Sequence, residues 1–294
     1  MTDFLEQVVA RRREYVTQAK RARPVEQLLA DLPHNAWTRT HIPSIRGRVA
    51  MGGVANAFDH AIRVARQRGK LAVIAEVKRV SPALGRLAAA SLDVAGQALQ
   101  YTAGGAAAIS VLVEPVFWGG SLDDLRRIRE ATLLPILAKD VVIDEYQILE
   151  ARAAGADAVL LIAEILTDEQ IRRFRRAASE LSMGTLVEAH EAVAFGRAVE
   201  CGALTVGVNA RNLRNPQEID IGRVRQLHTF AKDGQLLVAE SGISSADDAR
   251  LLPARVDAVL VGTALMRELD STRLVSELAA IPRGPRPSVV VLRR

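Results

Sequence analysis

Residues 71–82, LAVIAEVKRVSP, are an apolar run that ends in a carboxylate, an ammonium group and a hydroxyl: Glu76, Lys78 and Ser81. Such a mixed cluster can split pKa values and so offer an acid and a base side by side. Read as a strand, the run places Ala72, Ile74, Glu76 and Lys78 on one face and Val73, Ala75 and Val77 on the other. A strand apolar on both faces belongs in a parallel sheet packed under helices, and charge at its C-terminal end marks a site because burying an unpaired charge is costly. An isolated pair of this kind could equally be a solvated ion pair at a strand end. Recurrence argues for chemistry. Glu114, Lys139, Glu188, Asn209 with Arg211, and Glu240 with Ser241 each follow a further apolar run.

Those runs must be held so that their ends meet. Strand candidates at 71–76, 107–112, 134–138, 157–162, 184–188, 204–209, 236–240 and 257–261 alternate with helix candidates at about 93–103, 121–131, 144–154, 167–181, 190–201, 219–230, 244–253 and 264–279. Ser or Asp opens several of these helices, and Gly104, Gly155 and Gly202 stand where a left-handed C-cap is wanted. Eight alternating units predict an α/β fold, a (β/α)8 barrel over residues 71–281. A doubly wound open sheet is the competing fold, and the lack of a Gly-rich first turn counts against it. In a barrel all the C-terminal strand ends share one rim, so the polar residues above would line one mouth.

Before the barrel, residues 1–70 read as a helical extension packed on it and closing one end. Phe4, Leu5, Val8, Val9 and Tyr15 recur at helical spacing with charges between, a surface helix over 3–22 that Pro24 ends, and a further helix is expected over 54–68. Residues 282–294, with three prolines and no acid, read as a basic tail.

Two features point to phosphate. Gly242 and Gly262 stand just beyond the last two strands, where glycine lets a backbone approach a ligand, and Thr263 is expected to open the next helix, whose N-terminus would face an anion. Ordinary tight turns are the plainer reading of either glycine alone. For chemistry, Lys139 can serve as a general acid if its neighbours keep it protonated, or as a Schiff-base nucleophile if it is desolvated. His190, Cys201 and the other histidines are assigned to surface or packing.

Composition narrows the class. The chain has 294 residues, 49% hydrophobic and 4% aromatic, which suits one large α/β domain. Its net charge of +5 belongs to the ends, because residues 51–281 carry 26 Lys/Arg against 29 Asp/Glu. With no interleaved basic and aromatic residues, a nucleic-acid partner is not expected. No apolar run reaches the roughly 18 residues that span a bilayer, so no membrane partner is expected either. A single cysteine, Cys201, fits a reducing compartment, and the expected location is the cytoplasm. The dispersed histidines show no metal-ligand spacing, and no metal is expected.

The motifs AEVKRVSP (75–82), ISVLVEPVFWGGSLDDL (109–125), PILAKD (135–140), YQILEARAAGADAVLLI (146–162), LVEAHE (186–191), GVNARNL (207–213), AESGI (239–243) and LVGTALM (260–266) resemble, in order, those of the indole-3-glycerol-phosphate synthase family of tryptophan biosynthesis. The resemblance implies a (β/α)8 barrel with an N-terminal helical extension. It implies closure of the pyrrole ring of 1-(2-carboxyphenylamino)-1-deoxyribulose 5-phosphate with loss of carbon dioxide and water, no cofactor, and other tryptophan-pathway enzymes as partners. Carried over by position, Lys139 resembles the general acid and Glu188 the acid/base of the dehydration. Glu76 and Asn209 resemble groups that stabilise the intermediate, and Lys78 one that supports the substrate's anionic groups. Ser81 and Ser241, with Glu114, Trp118, Arg211 and Glu240, resemble substrate-binding or supporting residues; Gly242, Gly262 and Thr263 match the phosphate site. The chain departs from the family at Val141, where Phe is usual, at Val113 (Thr), Trp118 (Phe) and Asn212 (Asp), and at Ala83-Leu84 in place of a more polar loop.

Two other functions compete. An isomerase or Schiff-base aldolase would also use a phosphate site and a mouth lysine. A catalytically weak phosphometabolite-binding paralogue is the third, and the complete set of charged mouth residues argues against it.

Overall fold

The computed structural model describes residues 3–30, 32 and 56–284. Eight parallel strands close a barrel: β1 (Ala72–Val77), β4 (Ala108–Leu112), β5 (Ile136–Lys139), β6 (Ala158–Ile162), β7 (Gly184–Ala189), β8 (Thr205–Asn209), β9 (Leu236–Glu240) and β10 (Ala258–Val261), with β10 pairing back onto β1. The open-sheet alternative is thereby excluded. A short antiparallel hairpin, β2 (Val80–Ser81) with β3 (Gly85–Arg86), stands in the loop after β1.

The period of two sorts the core into layers. Ala72, Ile74, Ala108, Leu137, Leu186, Leu236 and Val238 fill the barrel, while Val73, Ala75, Val77, Ile109, Ala138, Val187 and Ala239 pack outward under the helices. Such alternation fixes register, since a one-residue slip would exchange the two sets.

The N-terminal extension reaches both ends of the barrel. The helix Phe4–Ala22 presents Leu5, Val8, Arg12 and Val16 to the protein as one face, with Phe4 and Leu5 over the mouth. Pro24 ends this helix and precedes a second one, Val25–Ala30. Part of the helix expected over 54–68 lies outside the described residues; the remainder, Ala57–Gln67, is capped by Asn56 and drives Phe58 and Ile62 into the opposite end, where Asp59 accepts a 2.6 Å hydrogen bond from the Thr205 hydroxyl. The segment that begins at Pro282 starts inside the fold. Pro282 bridges Lys70, and the Arg283 N–H donates to the Gly69 carbonyl at 2.7 Å.

Three local expectations are corrected. After the helix Val94–Ala103, Gly104 keeps right-handed angles and the left-handed residue is Gly105 (φ 85°). The helix expected over 264–279 is broken into a 3-10 turn, Leu265–Arg267, and a helix, Thr272–Ala279. Glu268 turns extended, Asp270 accepts from the Thr272 N–H, and the Ser271 hydroxyl donates to Gln100, so local side-chain bonds outcompete the continued helix. Thr263 therefore opens a single turn. Third, the first helix is not merely a surface helix, because Arg12 is 3% exposed and ion-paired to Asp140. No helix of the described residues is long and apolar enough to cross a membrane.

Candidate active site

In four strands the inward-facing series turns polar toward the rim: Ile74 is followed by Glu76, Leu137 by Lys139, Leu186 by Glu188 and Val238 by Glu240. Above this layer opens a cavity of about 250 Å³. Glu76, Lys78, Ser81, Glu114, Trp118, Lys139, Glu188, Asn209, Arg211, Ser241, Gly242, Gly262 and Thr263 all line it. Glu240 is the exception among the residues singled out from sequence. It is fully buried beneath the mouth, where it faces Lys139 rather than the cavity.

Lys139 is the centre of the charge pattern. Its ammonium lies 3.1 Å from Glu240 and 3.3 Å from Glu76, and Glu76 is in turn 2.8 Å from Lys78. Burial works against the charge on Lys139, yet Glu76, Glu240 and Glu188 together raise its pKa above that of an ordinary lysine. Burial likewise opposes the charge on Glu76, but Lys78 and Lys139 hold its carboxyl down at about 2. Glu188 behaves oppositely. Burial and then the neighbouring Glu240 push it well above the ordinary carboxylate range, against the pull of Lys139. One mouth thus holds a locked ammonium, a locked carboxylate and a carboxyl biased toward its protonated form.

Asn209 ties this cluster to the loops. Its Nδ2 donates to Glu188 at 3.2 Å, and its Oδ1 accepts from the Arg211 N–H at 3.0 Å and the Ser241 hydroxyl at 2.9 Å. Ser241 and Gly242 both take left-handed angles, φ 66° and 75°, so the turn after β9 stores strain at a non-glycine residue beside the cavity. The Arg211 guanidinium donates back to the Pro216 carbonyl within its own loop. Both Glu114 oxygens accept backbone N–H groups of Val116, Phe117 and Trp118, which makes Glu114 the anchor of the loop that carries Trp118.

Two glycines leave room for carboxylates. A Cβ on Gly262 would lie 2.3 Å from Glu76 Oε1, and one on Gly207 would lie 2.2 Å from Glu240 Oε1. Gly262 therefore has a steric duty to Glu76 besides any contact with an anion.

Several lining residues were not singled out from sequence: Phe4, Leu5, Asp140, Leu213, Pro216, Ile219 and Arg267. Phe4 meets the Trp118 ring edge-on at 5.7 Å and the Phe117 ring at 5.2 Å, so the extension supplies part of the aromatic wall. A signal for Arg12 was present: it stands four residues after Val8 and four before Val16, on the buried helix face. Among the described residues no group of His, Cys, Asp and Glu is arranged to hold a metal ion.

Known proteins share sequence with this chain over most of its length. The family profile described as indole-3-glycerol phosphate synthase matches residues 5–278. A protein of that name from Albidiferax ferrireducens is 38% identical over 281 residues, covering 95% of this chain and 99% of the relative. One from a Nocardioides species is 49% identical over 212 residues, covering 71% and 80%. Among solved structures, the tryptophan synthase alpha subunit of Legionella pneumophila superimposes with a TM-score of 0.57 at 16% identity over 76% of this chain and 97% of its own, a likeness of fold alone.

Proposed function

The chain belongs to the indole-3-glycerol phosphate synthase family, and from that premise we propose that it closes the indole ring of 1-(2-carboxyphenylamino)-1-deoxyribulose 5-phosphate as a carboxy-lyase. The observation that carries this reading is the position of Lys139 between Glu76 and Glu240. An ammonium so held stays protonated, which suits a general acid and opposes the free amine that a Schiff base requires. In the proposed sequence the ring carbon bearing the carboxylate attacks the ketone carbon while Lys139 protonates the ketone oxygen. Carbon dioxide then leaves and the ring regains aromaticity. Glu188 supplies the proton that takes the new hydroxyl away as water and, as a carboxylate, accepts the one lost from the ring system. Asn209 and Glu76 hold these groups and the intermediate in place, and Lys78 supports its anionic groups. The test is direct: indole-type fluorescence appears when the protein meets this substrate, and borohydride gives no adduct at Lys139 or Lys78. A trapped covalent adduct without fluorescence would favour the aldolase reading.

The substrate's phosphate is assigned to the side of the mouth formed by Gly242, Gly262 and Thr263, where β9 and β10 are neighbours and Arg267 adds positive charge. With only one turn following Thr263, this cradle rests on loop backbone and Arg267 rather than on a helix dipole. Inorganic phosphate at a hundred times its Kd should stabilise the fold by about 2.7 kcal/mol, read as a rise in Tm. Thr263→Asp should remove that protection; Gly262→Asp is a poorer probe because its side chain would also displace Glu76. Protection that survives Thr263→Asp would place the anion elsewhere.

The aromatic ring is assigned to the wall made by Trp118 and Val141, which both line the cavity. Trp118 is held by Phe4 and Phe117, and its larger ring offsets the volume that Val141 leaves open. Trp118→Phe alone should raise KM, Val141→Phe alone should crowd the ring, and the double variant should recover. The expected coupling is on the order of 1 kcal/mol in a double-mutant cycle. Strictly additive effects would show that the two positions do not share a pocket. A single free, buried cysteine accords with work in the reducing cytoplasm, alongside the other tryptophan-pathway enzymes.

A further inference from the structure

Where β7 and β8 run out, their pairing is completed by side chains. The last pair in register is Ala189 with Val208, so His190 and Asn209 stand next. The two backbone N–H groups that follow, those of His190 and Glu191, both donate to Glu164 Oε1, at 2.6 and 3.0 Å, and are not available to the Asn209 carbonyl. That carbonyl lies 2.9 Å from His190 Nδ1 instead. As the carbonyl only accepts, the ring must carry its proton on Nδ1. His190 is 7% exposed, so this bond is made away from bulk water.

We propose that His190 is a positioning residue for Asn209, itself held in place by Glu164. The ring of contacts is closed: Glu164 grips the His190 backbone, the imidazole grips the Asn209 backbone, and the Asn209 side chain reaches Glu188, two residues before His190. Asn209 has only short travel if its amide is to keep Glu188, Ser241 and the Arg211 N–H together, and one fixed carbonyl removes most of it. The sequence signal was a histidine two residues after a mouth carboxylate.

This role rests on the proposed function of Asn209 and Glu188, and its test compares two amides. Asn places a donor nitrogen near the position of Nδ1, whereas Gln matches the ring's length better but carries its donor one atom further out. His190→Asn should keep kcat within about threefold of the parent, whereas His190→Gln and His190→Leu should lose at least about tenfold in kcat with KM changed less than about threefold. Tm is measured on each. If Asn and Gln lose activity equally while folded, or if Leu loses none, the positioning role is overturned. If the His190 variants do not fold, Glu164→Gln, which retains an acceptor for both N–H groups, should preserve kcat where Glu164→Leu lowers it; equal kcat in those two would overturn the proposal. An inactive parent protein would instead count against the function itself.

Discussion

Lys139→Met is expected to lower kcat by at least about a hundredfold, the order of effect of losing one general acid. It should also destabilise the protein, because Lys139 is the ion-pair partner of a fully buried Glu240 and one of two for Glu76. Removing one member of a buried pair costs about 3–5 kcal/mol, since the other is left as an uncompensated charge. The two effects can be separated. Adding Glu240→Gln to Lys139→Met removes the stranded charge and should restore much of Tm, while turnover stays low. Near-normal turnover in Lys139→Met would remove the general-acid assignment, and activity that returned along with Tm in the double variant would show that the loss was one of folding.

The barrel was legible because its rules are local and repeated. The barrel strands are buried on both faces, so each reads as a largely apolar run, and the same alternation that fills the interior with Ile74, Leu137 and Leu186 puts Glu76, Lys139 and Glu188 inside one layer later. Which pairs form across that layer was not legible. Sequence spacing says that Glu240 and Lys139 share a rim, but only closure of the barrel brings them to 3.1 Å and sets Glu240 beneath the cavity. The residue least expected was Arg12, which satisfies the helical period only if a charge is allowed on the buried face. Its partner Asp140 lies 128 residues away, flanked by Lys139 and Val141.

One glycine has a second neighbour that was hidden for the same reason. Gly262 reads in the sequence as a place for a ligand to approach, and it also lies against a carboxylate on the adjacent strand β1, 2.3 Å from where a Cβ would be. Nothing in the order of residues along the chain encodes that contact. The break at Glu268 was obscured in another way: residues 264–279 keep a helical apolar period, and it takes the Ser271–Gln100 bond, across 171 residues, to show why the chain turns out of helix there.

Glu188→Gln is expected to inactivate the enzyme and yet make it more stable at alkaline pH. The carboxyl is 1% exposed and its folded pKa is raised by burial and by Glu240, so the native state holds a proton that the unfolded chain, with an ordinary value of 4.5, releases. A group raised in this way lowers stability as pH climbs above about 4.5, by up to about 1.4 kcal/mol per pH unit, until the folded pKa is passed. Glutamine cannot ionise, and its carbonyl can still accept from Asn209 Nδ2 as Glu188 does at 3.2 Å. The stability of Glu188→Gln relative to the parent, followed between pH 4.5 and 8, should therefore rise until the folded pKa of Glu188 is passed, while kcat falls by about a hundredfold for want of the proton that the dehydration needs. Urea denaturation of both proteins across this range reads the difference. A flat difference curve would mean that the folded pKa of Glu188 is not raised above its unfolded value, so that the group is not poised as an acid.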